Sequence, residues 1–86
     1  MSNETILAVA PEREHKLLLH YANGERRRFD VTPYIRGSWY GRLNDEGYFR
    51  TVRVTRDGRG VEWPDGQDIA PHELADLSTT VPADAK

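Results

Sequence analysis

The chain has 86 residues, enough for one small domain, because a second core would leave each with about forty residues, near the lower limit for unaided folding. It contains no cysteine, which removes disulfide frameworks, thiolate zinc sites, iron–sulfur clusters and cysteine nucleophiles together and fits a reducing compartment. Twelve basic and 14 acidic residues give a net charge of -2, but residues 26 to 59 hold nine basic and four acidic residues while residues 60 to 86 hold one and six. That asymmetry marks either a surface for an anionic partner or a basic strand paired internally with an acidic neighbour.

The opening run Ile6 to Ala10 reads as a strand, ended by Pro11 and a charged turn from Glu12 to His15. Around it no stretch approaches the roughly 18 apolar residues of a membrane span, and no basic segment leads an apolar run as in a signal peptide. The expected location is cytoplasmic. Lys16 to Tyr21 and Arg26 to Val31 then flank Asn23-Gly24, a strong hairpin signal. A two-residue turn there would set Leu17 and Leu19 opposite Asp30 and Arg28. A three-residue loop, Ala22-Asn23-Gly24 with Gly24 left-handed, sets Leu17 opposite Phe29 and Leu19 opposite Arg27. The second register puts Leu17, Leu19, Tyr21, Phe29 and Val31 on one apolar face and turns Arg26 and Arg28 outward.

Thr32-Pro33 predicts a helix start, since Thr can cap free amides and Pro loses no hydrogen bond at the first helical position; Gly37 is the expected stop. Residues 38 to 49 read as a connection with one or two helical turns, Asn44 or Asp45 capping the turn before Tyr48 and Phe49. Arg50 to Thr55 and Gly60 to Trp63 form the next predicted hairpin. A two-residue Asp57-Gly58 turn pairs Val54 with Val61 and Val52 with Trp63 on one face, and Arg53 with Glu62 on the other. Pro64-Asp65-Gly66 makes a tight turn that returns Gln67 to Ile69 alongside Val61, and Pro71 to Leu74 reads as a helical turn. The expected architecture is a single α+β domain over residues 1 to 75. It has a small antiparallel or mixed sheet built from hairpins, one or two short helices, and a frayed tail at residues 76 to 86.

Three stretches in order, LLLHYANGERRRFDVTPYI, RLNDEGYFRTVRV and GVEWPDGQDIAPHEL, resemble the bacterial family known as domain of unknown function 2442. Phe29-Asp30-Val31, the Phe49 to Val52 join and the block Trp63 to Gly66 carry the resemblance, which covers residues 6 to about 75. It implies a compact α+β fold and no established chemistry. Family members stand alone, sometimes beside another small protein of unknown function, or carry a following helix-turn-helix domain. Here only the polar residues 76 to 86 follow, so no such appendage is expected.

Candidate chemistry is sparse. Glu12, Glu14 and His15 fall together in a turn but lack a second anchored histidine, so no metal site is expected; His20 and His72 lie apart from them. Ser38 and Ser78 have no His or Asp at a telling spacing, and Asp45-Glu46 and Asp65 with Asp68 sit where turns want Asp. Gly58 and Gly60 join two strands and so do not form a phosphate loop. The expectation is a protein without enzymatic activity and without a cofactor. The segment from Arg36 to Arg42, with Trp39 and Tyr40 between two arginines, has the composition of an interface anchor. Arg36, Trp39, Tyr40 and Arg42, with Arg26 and Arg28, are the candidate partner-binding residues, the expected partner being another small protein and no membrane being involved. The same arginines beside stacking aromatics make nucleic acid the alternative partner.

Overall fold

The computed structural model describes residues 5–81. Within them the first hairpin pair builds a four-stranded sheet. Strand β1 (Ile6–Glu12) pairs antiparallel with β2 (Lys16–Tyr21), and β2 with β3 (Arg26–Asp30). The β2–β3 register is the one the apolar pattern demands. Leu17 stands opposite Phe29 and Leu19 opposite Arg27, and the Tyr21 amide donates to the Glu25 carbonyl to close the loop over Ala22, Asn23 and Gly24. Gly24 takes a φ of +93, which a side chain would strain.

The first strand runs further than its sequence predicts, through Pro11 to Glu12. Pro11 stands opposite Leu17 at the outer edge of the sheet, where a missing amide breaks no ladder bond to a further strand. The chain then turns at Arg13–His15, a short 3-10 segment. A second 3-10 turn covers Thr32–Tyr34, but Thr32 lies inside it and makes no cap bond; Val31 takes the cap position, and the Thr32 amide donates to the Asp30 carboxylate at 3.0 Å. Gly37, expected as a stop, instead opens helix α1 (Gly37–Tyr40), its φ of +68 redirecting the chain. A further 3-10 turn, Gly41–Asn44, leads into α2 (Glu46–Phe49), which Asp45 caps by accepting from the amides of Gly47 and Tyr48.

The remaining strands form a second antiparallel sheet in the order β4 (Arg53–Val54), β5 (Val61–Glu62), β6 (Asp68–Ile69). Arg53 faces Glu62 and Val54 faces Val61, as the pattern requires. The turn between them is wider than two residues. The Thr55 amide donates to the Gly60 carbonyl, and Arg56 to Arg59 form a four-residue loop. Inside the loop the Thr55 carbonyl accepts from the Gly58 amide, and the Thr55 hydroxyl accepts from the Gly60 amide at 3.1 Å. Between β5 and β6, Trp63 pairs with Gln67 around Pro64-Asp65-Gly66, with Gly66 at a φ of +104. That loop repeats the one around Gly24.

Helix α3 runs over Pro71–Leu77, and β7 (Thr79–Val81) then pairs with β3 to complete the sheet order β1-β2-β3-β7. Residues 76 to 81 are therefore structure and not tail; residues 82–86 lie outside the described residues. Strand β7 was hidden in the sequence because Ser-Thr-Thr-Val lacks a neighbouring turn signal and its partner is far upstream. Arg27 holds the junction: its guanidinium donates to the Ala75 carbonyl and the Ser78 hydroxyl, clasping the end of α3 to β3.

The core lies between the inner face of the large sheet and the second sheet with its helices. Leu17, Leu19, Tyr21 and Phe29 come from the large sheet, and Val61, Trp63 and Ile69 from the small one. Leu43, Phe49 and Leu74 fill in from the helical segments. Trp63 is 1% exposed, and its indole N–H donates to the Phe49 carbonyl at 2.9 Å. Among the described residues no helix is long and apolar enough to cross a membrane.

Two measurements check this account. Trp63→Ala removes the largest buried side chain and should cost about 3–5 kcal/mol, a large share of a stability of about 5–15 kcal/mol, read as a lowered urea midpoint. Asp30 should shape the acid limb. Desolvation works to raise its pKa, but hydrogen bonds from Thr32 and the charges of Lys16 and His15 outweigh it and hold the carboxyl below its ordinary value of 3.8. A depressed folded value means that the contribution is present above 3.8 and is lost as pH falls through the lower folded value. Asp30→Asn should therefore reduce stability at neutral pH and flatten the acid limb in urea midpoints taken across a pH series.

Candidate functional site

The six nominated residues fall on two sides of the large sheet. Cross-strand rows Ala8, His20, Arg26 and Ala10, Leu18, Arg28, Thr79 form the face opposite Leu17, Leu19 and Phe29. Arg28 there is committed to an ion pair: its guanidinium donates to both oxygens of Glu12, at 2.7 and 3.3 Å. The bond to Glu12 and its charge raise the Arg28 pKa further. Arg26 lies beside it in the register, opposite His20.

Arg36, Trp39, Tyr40 and Arg42 lie on the core side, where α1 and the following 3-10 turn meet the loop between β5 and β6. Most of this group is woven into that loop. The Arg42 guanidinium pairs with the Asp65 carboxylate and stacks over the Tyr48 ring at 4.6 Å. The Tyr40 hydroxyl donates to the Asp68 carbonyl at 3.0 Å. Trp39 differs. Its ring lies against Gly66, where an added Cβ would meet it at 3.4 Å, yet the residue is 52% exposed. Arg36 makes no ion pair among the described residues.

A residue the sequence did not point to holds Trp39 in place. Gln67 is fully buried, its amide nitrogen donating to the Trp39 carbonyl at 2.9 Å and its amide oxygen accepting from the Tyr48 hydroxyl at 2.7 Å. The Tyr48 oxygen in turn accepts from the Asp65 amide at 2.8 Å. Every polar atom of the buried amide thus has work in joining α1, α2 and the β5–β6 loop, and the Trp39 backbone is fixed while its indole stays half in water. Glutamine beside a turn carries no distinguishing pattern in sequence, so this bridge was legible only in three dimensions.

Further arginines are exposed. Arg13, Arg50, Arg56 and Arg59 make no ion pair among the described residues, while Arg53 pairs with Glu62 at 3.0 Å. The recurrence of arginine at positions 50, 53, 56 and 59 was the available signal. Arg56 borders a groove of about 510 Å³ between the β4–β5 loop and the start of α3, floored by Ile69 and Pro71. Asp57 at its rim is occupied by the Thr55 hydroxyl and the Arg59 amide, which hold its carboxyl below the usual range. No group of three or more His, Asp or Glu side chains among the described residues is placed to hold a metal ion. Glu12 is engaged by Arg28, Glu14 by Lys16, and the His15 ring packs edge-on against Phe49.

Residues 6–80 match the family described as protein of unknown function DUF2442. The chain belongs to this family. The match runs through the first two residues of β7, so it takes in the Arg27 clasp and the Gln67 bridge as well as both sheets. No curated protein and no solved structure matches the chain.

The Gln67 bridge is open to test. Gln67→Leu keeps the volume but takes the Gln67 donor from the Trp39 carbonyl and the acceptor from the Tyr48 O–H, at a cost of about 1–3 kcal/mol. Acrylamide quenching of the half-exposed Trp39 should increase in the variant, while the buried Trp63 stays shielded.

Proposed function

We propose that this DUF2442 chain is a non-enzymatic interaction module that binds another small protein through Trp39 and its surroundings. The observation that carries the reading is the half-exposed indole of Trp39 on a backbone pinned by Gln67. A large aromatic side chain held in one position loses little conformational entropy on binding and supplies the apolar area that interface anchors use. Arg36, three residues away, adds a guanidinium that makes no ion pair among the described residues, and aromatic and arginine residues are enriched in such anchors. Tyr40 and Arg42 then support the patch from below through Asp68 and Asp65. Titratable groups near the surface grooves are engaged in turn-forming bonds and ion pairs, as Asp57 and Glu62 are, which supports a binding role over catalysis.

A second reading, binding of nucleic acid, rests on the arginines that make no ion pair among the described residues, Arg13, Arg36, Arg50, Arg56 and Arg59. The pairing of Arg28 with Glu12 and of Arg42 with Asp65 weighs against it, since phosphates would have to compete with carboxylates already in place.

The two readings separate by mutation and salt. Trp39→Ala should leave the thermal midpoint close to wild type and weaken partner affinity by about 2 kcal/mol or more, measured by calorimetry on the complex purified from native cells. Binding of a mixed oligonucleotide pool that falls steeply with salt, and is reduced by Arg56→Gln with Arg59→Gln but not by Trp39→Ala, would favour nucleic acid instead.

A further inference from the structure

The turn from β1 to β2 holds two successive residues, Glu14 and His15, at φ values of 62 and 60 although neither is glycine. Left-handed backbone costs energy for such residues, and it persists where surrounding contacts enforce it. Here the His15 carbonyl accepts from the Val31 amide at 2.9 Å, and the His15 ring meets Phe49 edge-on with centroids 5.2 Å apart. The same ring has its Nε2 buried without a hydrogen-bond partner, a second cost accepted at the same residue. Phe49 ends α2 and Arg50 follows it; Arg13 begins the strained turn. The ring contact therefore ties the loop bearing Arg13 to the helix end bearing Arg50. Both arginines, with Pro11 and Glu12, line one cleft of about 450 Å³.

Charge is unbalanced in this cleft. Arg13 and Arg50 are exposed and make no ion pair among the described residues. Glu12, the carboxylate in the lining, already has both oxygens engaged by Arg28. Two arginines thus line one space whose single lining carboxylate is already engaged, an arrangement that an anion would relieve. The geometry points to an oxyanion site in which Arg13 and Arg50 clamp one phosphate group of a small phosphate ester. A single guanidinium fork satisfies the two oxygens of a carboxylate, whereas the three terminal oxygens and the double charge of a phosphate monoester match two forks. Pro11 offers an apolar wall for the body of the ester. This site shares no residue with the Trp39 surface and stands or falls independently of it.

The test uses the full chain, isotope-labelled, titrated with inorganic phosphate and with phenyl phosphate. Both should shift the Nε–Hε resonances of Arg13 and Arg50 and raise the thermal midpoint with ligand concentration. Arg13→Gln and Arg50→Gln should each weaken phenyl phosphate binding about tenfold or more, while Arg59→Gln leaves it unchanged. The wild-type shifts do not depend on how well any variant folds. Absence of shifts at millimolar phosphate would overturn the site. So would equal shifts with acetate, which would make it a general carboxylate cleft, or equal losses in Arg59→Gln and Arg13→Gln against a single-stranded oligonucleotide, which would make it a diffuse polyanion surface.

Discussion

The indole N–H of Trp63 must find an acceptor because its ring is buried, and the acceptor is the carbonyl of Phe49. That bond fastens the end of α2 to the second sheet, and much else in the molecule follows from where α2 then sits. The Phe49 ring tilts against Trp63 with centroids 5.8 Å apart and reaches the His15 ring on its other side. One residue earlier, Tyr48 is placed to meet Gln67 and Asp65. A four-residue helix would have no stability alone, since so short a segment barely completes one turn. It persists because its carbonyl, its two aromatic rings and the Asp45 cap are all engaged from outside.

Arginine is the commonest charged residue of the middle of the chain, and the fold sorts its copies into distinct occupations. Arg27 acts as a clasp between β3 and α3, reaching the Ala75 carbonyl with one nitrogen while another pairs with Glu25 at 3.3 Å. Arg28, Arg42 and Arg53 pair with Glu12, Asp65 and Glu62 across strands or loops. Exposed pairs of this kind add little stability, about 0–1 kcal/mol each, so their weight lies in selecting one arrangement of neighbours over another. Arg13, Arg36, Arg50, Arg56 and Arg59 make no ion pair among the described residues, and they are spread along the chain outside its run of consecutive arginines.

The hairpins were legible because their determinants are local. Asn23-Gly24 and Pro64-Asp65-Gly66 name the turns, and alternation of Leu17, Leu19 and Phe29 selects one register over its neighbour, which would bury Asp30 and Arg28. Asp45 as a cap and Arg53 opposite Glu62 were readable for the same reason. What escaped depends on partners distant in the chain. Thr79–Val81 becomes a strand only because β3 offers it an edge, and Gln67 is buried only because Trp39 and Tyr48 meet its amide from other segments. Pro11 misled because a proline usually ends a strand, and whether it does depends on which side of the strand has a neighbour. The candidate site suffered likewise: Tyr40 and Arg42 have the composition of contact residues, and their internal partners, Asp68 and Asp65, lie more than twenty positions away.

Closure of the large sheet by β7 has a consequence for synthesis on the ribosome. The first three strands and their turns are local in sequence and can form as they emerge, but β3 waits for a partner more than fifty residues downstream. Until Thr79–Val81 has been made, one side of β3 shows unpaired amides and carbonyls, and the Arg27 guanidinium lacks its acceptor on Ala75. Such an open edge is a template for pairing with another nascent chain. The three successive arginines of β3 place like charges along that edge, so two such strands repel each other during the interval in which neither has its own β7.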